Sequence, residues 1–156
     1  MKKDIFIDNN IAKNFSNPLD VEYQKLIRWL MFYDPINKNK NAFLAVSNKL
    51  LIEYYSSSGY SQSNTSIVVL ISQLKKENRL NKITNEEIKN FKRLHYKKKI
   101  VKNLTCNQKD REHIPVVLLS DRKYALSLDN KFINDLSKFP GFTVKVAKKP
   151  SLLPYK

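Results

Sequence analysis

The sequence predicts an α/β fold, a mostly parallel sheet with helices on both faces, and three observations lead there. Short β-branched and aromatic runs alternate along the chain with apolar stripes at helical spacing. Hydrophobic residues make up 42% of 156 positions, enough for one continuous core. No linker, internal repeat or shift in composition divides the chain, so residues 1–156 read as a single domain.

Ile5-Phe6-Ile7, framed by Asp4 and Asp8, predicts a short buried strand. After Asn17-Pro18, the apolar residues Leu19, Val21, Leu26, Ile27, Leu30 and Met31 predict a helix over 19–32 that stops near Asp34-Pro35. A polar connection over 37–41 precedes a second strand, Ala42 to Val46, and Ser47 is placed to cap a helix running to about Tyr55. Ser56-Ser57-Ser58-Gly59 breaks that helix. The next apolar stripe spans roughly 64–80 and ends in Lys75, Lys76 and Arg79, which complement a helix dipole. Thr84-Asn85-Glu86-Glu87 has the capping-box pattern and opens a helix running into Lys97-Lys98-Lys99. Asp110 then precedes or opens a helix whose apolar part is Ile114 to Leu119. Tyr124 to Leu128 reads as a strand, Lys131 to Phe139 as a helix ended by Pro140-Gly141, and Phe142 to Val146 as a last strand.

Lys and Arg number 29 against 14 Asp and Glu, a formal charge of +15. Such a surface attracts polyanions by counterion release and steering, which makes nucleic acid the first expected partner, ahead of an anionic membrane face or an acidic protein. The plainer reading is a Lys- and Asn-rich composition that merely keeps the chain soluble. Two glycines and one cysteine, Cys106, exclude collagen-like and disulfide-stapled classes, and the lone thiol suits a reducing, cytoplasmic setting. No apolar run approaches the roughly 18–20 residues of a bilayer span, and Ile5-Phe6-Ile7 is too short for a signal-peptide core. No membrane association is expected.

In a chain so poor in acids, four of them adjoin apolar runs: Asp8, Glu53, Asp110 and Asp129. Asp8 and Asp129 close predicted strands, which in a parallel sheet puts them at the carboxyl edge, where ligands of open α/β sheets bind. Glu53 lies on the helix after the second strand. Each has a duller reading as a cap, a turn residue or an exposed helix residue; their joint placement favours a site. Carboxylates forced together repel, and a hard cation with oxygen ligands, Mg²⁺ or Mn²⁺, offsets that repulsion. Such ions assist phosphodiester hydrolysis, so the acids and the basic surplus point to one chemistry.

At these residues the chain resembles the PIN-domain nucleases. The resemblance spans nearly the whole sequence: a first strand ending in Asp8, then Leu50-Leu51-Ile52-Glu53-Tyr54, Asp110-Arg111-Glu112-His113-Ile114, and Ala125-Leu126-Ser127-Leu128-Asp129-Asn130-Lys131-Phe132. It implies a three-layer α/β/α sandwich and a Mg²⁺- or Mn²⁺-dependent endoribonuclease. Asp8, Glu53, Asp110 and Asp129 would be the catalytic metal ligands, supported by the Ser127 hydroxyl. Many small bacterial members are toxins held by an antitoxin, and many form homodimers. Two positions depart from the pattern: Lys131 stands where some members carry a further acid, and Pro115 follows Asp110 by five residues, where it removes a helix hydrogen bond.

Lys89, Lys92, Arg93, Lys97, Lys98, Lys99 and Lys102, around His95 and Tyr96, mix charge with stacking surface as single-stranded nucleic-acid binders do, with Lys92, Arg93 and Lys97 to Lys99 the first choice for that role; a solvated helix end is the alternative. Lys145, Lys148 and Lys149 form a second basic patch. His95 and His113 lack zinc or dyad spacing, and His113, three residues after Asp110, reads first as structural. No Gly-rich phosphate loop is present, and Cys106 has no nucleophile-and-base pattern. The expectation is an endonuclease acting on single-stranded or structured RNA. A non-catalytic basic nucleic-acid-binding protein of the same fold, and a subunit binding an acidic partner, are the competing readings.

Overall fold

The computed structural model describes all of residues 1–156. Its strands are β1 (Lys3–Ile7), β2 (Ala42–Val46), β3 (Leu80–Lys82), β4 (Tyr124–Leu126) and β5 (Lys145–Ala147). They form a five-stranded, all-parallel sheet in the order β3-β2-β1-β4-β5, with Ile5 beside Leu44 on one side and Ile7 beside Leu126 on the other. Ile5, Phe6 and Ile7 are fully buried, as a central strand covered on both faces requires.

The helices are α1 (Asn9–Ala12), α2 (Val21–Met31), α3 (Asn48–Ser58), α4 (Ile67–Lys76), α5 (Asn85–His95), α6 (Lys98–Asn103), α7 (Gln108–Arg111), α8 (Ile114–Leu119) and α9 (Asn130–Lys138). From β1 the chain steps outward to β2 and β3, then crosses back to β4 and β5. Because parallel crossovers are right-handed, the two directions put α1 to α4 on one face and α5 to α9 on the other. The packing agrees: α3 meets α1 and α4, α2 meets α4, and α5 meets α8. The result is a three-layer α/β/α sandwich around one core of 35 buried apolar residues.

The predicted start signals act as read. Ser47 Oγ accepts from Leu50 N at 3.2 Å, and Thr84 and Glu87 form the reciprocal capping box. Differences appear where tertiary contacts decide. The stripe over 64–80 splits: α4 stops at Lys76, Asn78 turns the chain at φ 57°, and Leu80 starts β3. Arg79 is buried rather than a helix-end cation. Its guanidinium donates to Leu30 O at 2.7 Å and Ala42 O at 3.1 Å and pairs with Glu77 at 2.5 Å. The helix opened by Thr84 ends at His95, and α6 begins afresh at Lys98. The last strand lies at Lys145–Ala147 instead of over 142–146.

Pro115 does not kink a helix; it falls in the first turn of α8, where its missing N–H has no intrahelical partner to lose. Asp4, on β1, is an acid of another kind. Fully buried, it accepts from Asn81 Nδ2 at 2.7 Å, Asp121 N at 2.8 Å and Arg122 N at 2.9 Å, locking the turn that feeds β4. No helix is long and apolar enough to cross a membrane.

Candidate functional site

β1 is where the winding reverses, since its neighbours β2 and β4 belong to the two opposite directions of the chain. A crevice at the carboxyl ends of β1 and β4 follows from that topology, and it is the usual ligand position of open α/β sheets. Asp8 leaves β1 into this crevice. Its Oδ1 accepts from Asn9 N at 2.8 Å, capping α1, and its Oδ2 accepts from Ser127 Oγ at 2.6 Å and Asn10 Nδ2 at 3.3 Å. Ser127, fully buried after β4, also accepts from Asp129 N at 3.1 Å through the same hydroxyl. Asn10 Oδ1 takes Leu128 N at 3.1 Å, so the segment 127–129 is stitched to the start of α1.

Asp129 caps α9, accepting from Lys131 N at 2.9 Å and Phe132 N at 3.2 Å. For Asp8 and Asp129, capping and membership of the acidic edge are therefore both true. Asp110, in the first turn of α7, reaches the Asp129 carboxyl. Burial, that hydrogen bond, and the negative charges of Asp8 and Asp129 push Asp110 up to about 6. Asp8 is likewise raised, by burial first, against the lowering effect of the Ser127 hydroxyl, and Glu53 adds to the rise. Tyr54 beside them is held well above its ordinary value by burial, and then by Asp8 and Glu53; its hydroxyl donates to Ile7 O.

The fold thus brings Asp8, Glu53, Asp110 and Asp129 to one edge, each within the electrostatic field of another. As the side chains stand, no three His, Cys, Asp or Glu residues form a group ready to hold a metal ion. Glu53 Oε2 is bonded to His113 Nε2 at 2.6 Å, and the Asp8 oxygens take the donors named above. The acids at this edge, Asp8, Glu53, Asp110 and Asp129, offer oxygen donors only.

The basic residues divide. Lys92 pairs with Glu112, and Lys49 Nζ donates to Lys109 O, next to Asp110. With Ser47, Asn85 and Lys89 they line a depression of about 200 Å³ beside the acidic edge. Lys49 carried no sequence signal beyond its charge, whereas Lys89 belongs to the basic cluster read from the sequence. Arg93, Lys97, Lys98 and Lys99 are exposed, and Tyr96 ties their segment to α7 by donating to Arg111 O at 2.5 Å. The rings of His95 and Tyr96 are half-buried. They pack inward on Phe91, at 4.5 Å and 6.0 Å between centroids, in a cluster with Phe139 and Phe142. Lys145 begins β5 at the opposite edge of the sheet, whereas Lys148 and Lys149 follow its carboxyl end. Cys106 is buried and pushed up to about 12 by burial and Asp135, so it is no nucleophile.

A doubly wound α/β/α sandwich with paired acids at its switch point is the class of protein these features define. In fold it is similar to a chain of VapBC2 from Rickettsia felis, solved bound to a DNA fragment from their promoter; the TM-score is 0.54 at 16% identity, covering 92% of this chain and 98% of that one. No protein-family model and no curated protein matches the sequence.

Proposed function

We propose that this protein is a divalent-metal-dependent endoribonuclease of PIN type, with Asp8, Glu53, Asp110 and Asp129 as its catalytic acids. The observation that carries the reading is the meeting of Asp8, at the end of the central strand, with Asp110 and Asp129 at the switch point of the sheet, where burial and its acidic neighbours push Asp110 up to about 6. Carboxyls held in mutual repulsion destabilise a fold, and that arrangement is understandable where a cation or a reacting group relieves it. All-oxygen donors suit Mg²⁺ or Mn²⁺, which when bound supply charge compensation for a phosphate and a water acidic enough to attack it.

The chain's own residues do the rest. Asp8, fixed through Ser127 and Asn9, anchors the ligand set at the end of a rigid strand. Asp110 and Asp129, half-buried on two different helices, close it from the other side. Lys49, Lys89 and Lys92 lie where they neutralise backbone phosphates led toward the acids, and Arg93 with Lys97 to Lys99 extends that path. The resemblance to PIN toxins and the fold similarity to VapBC2 support a toxin role with a cognate antitoxin as partner; the resemblance alone supports a homodimer, and the lone thiol a cytoplasmic setting.

One observation favours the second reading, a nucleic-acid-binding protein without catalysis: Lys131 stands in place of a further acid. Cleavage decides between them. Purified protein is expected to cut single-stranded RNA with Mn²⁺ and not with EDTA, and Asp8→Asn to abolish cutting while RNA affinity is retained. Equal residual activity in both proteins overturns the nuclease and leaves the binder.

A further inference from the structure

His113 is 1% exposed, and its one side-chain hydrogen bond runs from Nε2 to Glu53 Oε2 at 2.6 Å. Nδ1 has no partner, and the ring otherwise packs on Phe6, 5.7 Å between centroids. A buried imidazole is a costly way to fill apolar space, because an unpaired ring nitrogen forfeits its hydration. Leucine would pack as well. What leucine lacks is the donor aimed at Glu53.

The backbone explains how that donor reaches its target. α7 ends at Arg111, and Pro115 in the first turn of α8 forces a fresh start. His113 sits between the two helices, its N–H donating to Asp110 O at 3.0 Å and its carbonyl accepting from Val117 N at 3.3 Å. One turn therefore presents Asp110 to the crevice and turns His113 under Glu53, a residue of α3 sixty positions earlier.

We infer that His113 is a positioning residue that holds Glu53 by one oxygen and leaves the other directed to the cation; this rests on the nuclease reading of the acidic edge. Carboxylates that bind metals are themselves usually hydrogen-bonded, and removing such a support typically weakens metal affinity about 10–100-fold.

The test compares His113→Leu, which keeps volume without a donor, with His113→Gln, whose amide reaches about as far as Nε2. Mn²⁺ binding is read by calorimetry and by the Mn²⁺ concentration giving half-maximal RNA cleavage, with melting temperature as the folding control. His113→Leu is expected to need about 10–100-fold more Mn²⁺, and His113→Gln to recover most of that loss at comparable melting temperature. Mn²⁺ binding by His113→Leu at wild-type strength overturns the inference, as does an equal loss in both variants. If wild type binds no Mn²⁺ and Asp8→Asn changes nothing, the acidic site itself is refuted. If wild type binds, Asp8→Asn does not, and His113→Leu matches wild type, only the role of His113 fails.

Discussion

Asp110→Asn tests the crowding of acids directly and needs no RNA. The Asp110 carboxyl rises from 3.8 to about 6 in the folded protein, so the fold holds its proton more tightly than the unfolded chain does. Stability from this group is therefore fully present below about pH 4, is lost as pH rises through about 6, and is absent at pH 7.5. At about 1.36 kcal/mol per pH unit the displacement amounts to roughly 3 kcal/mol, an upper bound. Asp110 is only half-buried, and solvent screening reduces that to about 1–1.5 kcal/mol. Asparagine carries no charge at any pH and keeps the volume. Metal-free Asp110→Asn is expected to be more stable than wild type at pH 7.5 by about that amount, or roughly 2–5 °C in melting temperature for a chain of this size. At pH 4 the two should coincide. Denaturant unfolding at both pH values, in EDTA, measures the difference, and Mn²⁺ should then raise the melting temperature of wild type alone. A variant no more stable at pH 7.5, or one equally stabilised at pH 4, refutes the claim that burial beside Asp129 and Asp8 makes the Asp110 charge costly to the fold.

Ser127→Ala removes the 2.6 Å donor to Asp8 and the acceptor for Asp129 N. A buried hydrogen bond to a charged group is worth about 1.5–3 kcal/mol, so urea unfolding should show a loss of that order, with Asp8 titrating higher still by carboxyl-selective NMR. Replacing both Lys49 and Lys89 by Ala should weaken RNA binding and flatten its salt dependence. Each lost phosphate contact removes about 0.7 from the slope of log affinity against log salt for a single strand, which fluorescence anisotropy across a salt series reports.

Which parts of the fold were legible follows from what stabilises each part. β1 and β2 announce themselves through the unbroken apolar runs Ile5–Ile7 and Ala42–Val46, as strands covered on both faces require, and the helices opened by Ser47 and Thr84 because their caps are local hydrogen bonds. β3 was hidden. Leu80-Asn81-Lys82 has no strand pattern of its own and is strand only because Val46 and Leu44 pair with it and Arg79 is drawn inward by the carbonyls of Leu30 and Ala42. The break at His95 was hidden likewise, since the lysines that continue the helical pattern conceal the aromatic cluster pulling Tyr96 out of it.

The site divides along the same line. Acids that end strands can be placed from sequence, because the topology carries every strand end to one edge. The partner of a side chain from sixty residues away cannot: His113 and Glu53 are joined only when α3 and the α7–α8 turn meet over Phe6. Pro115 is the local trace of that meeting. Taken alone it marks a damaged helix after Asp110. In the fold it ends α7 early, and the turn so created gives Asp110 its exposure to the crevice and His113 its burial beneath it.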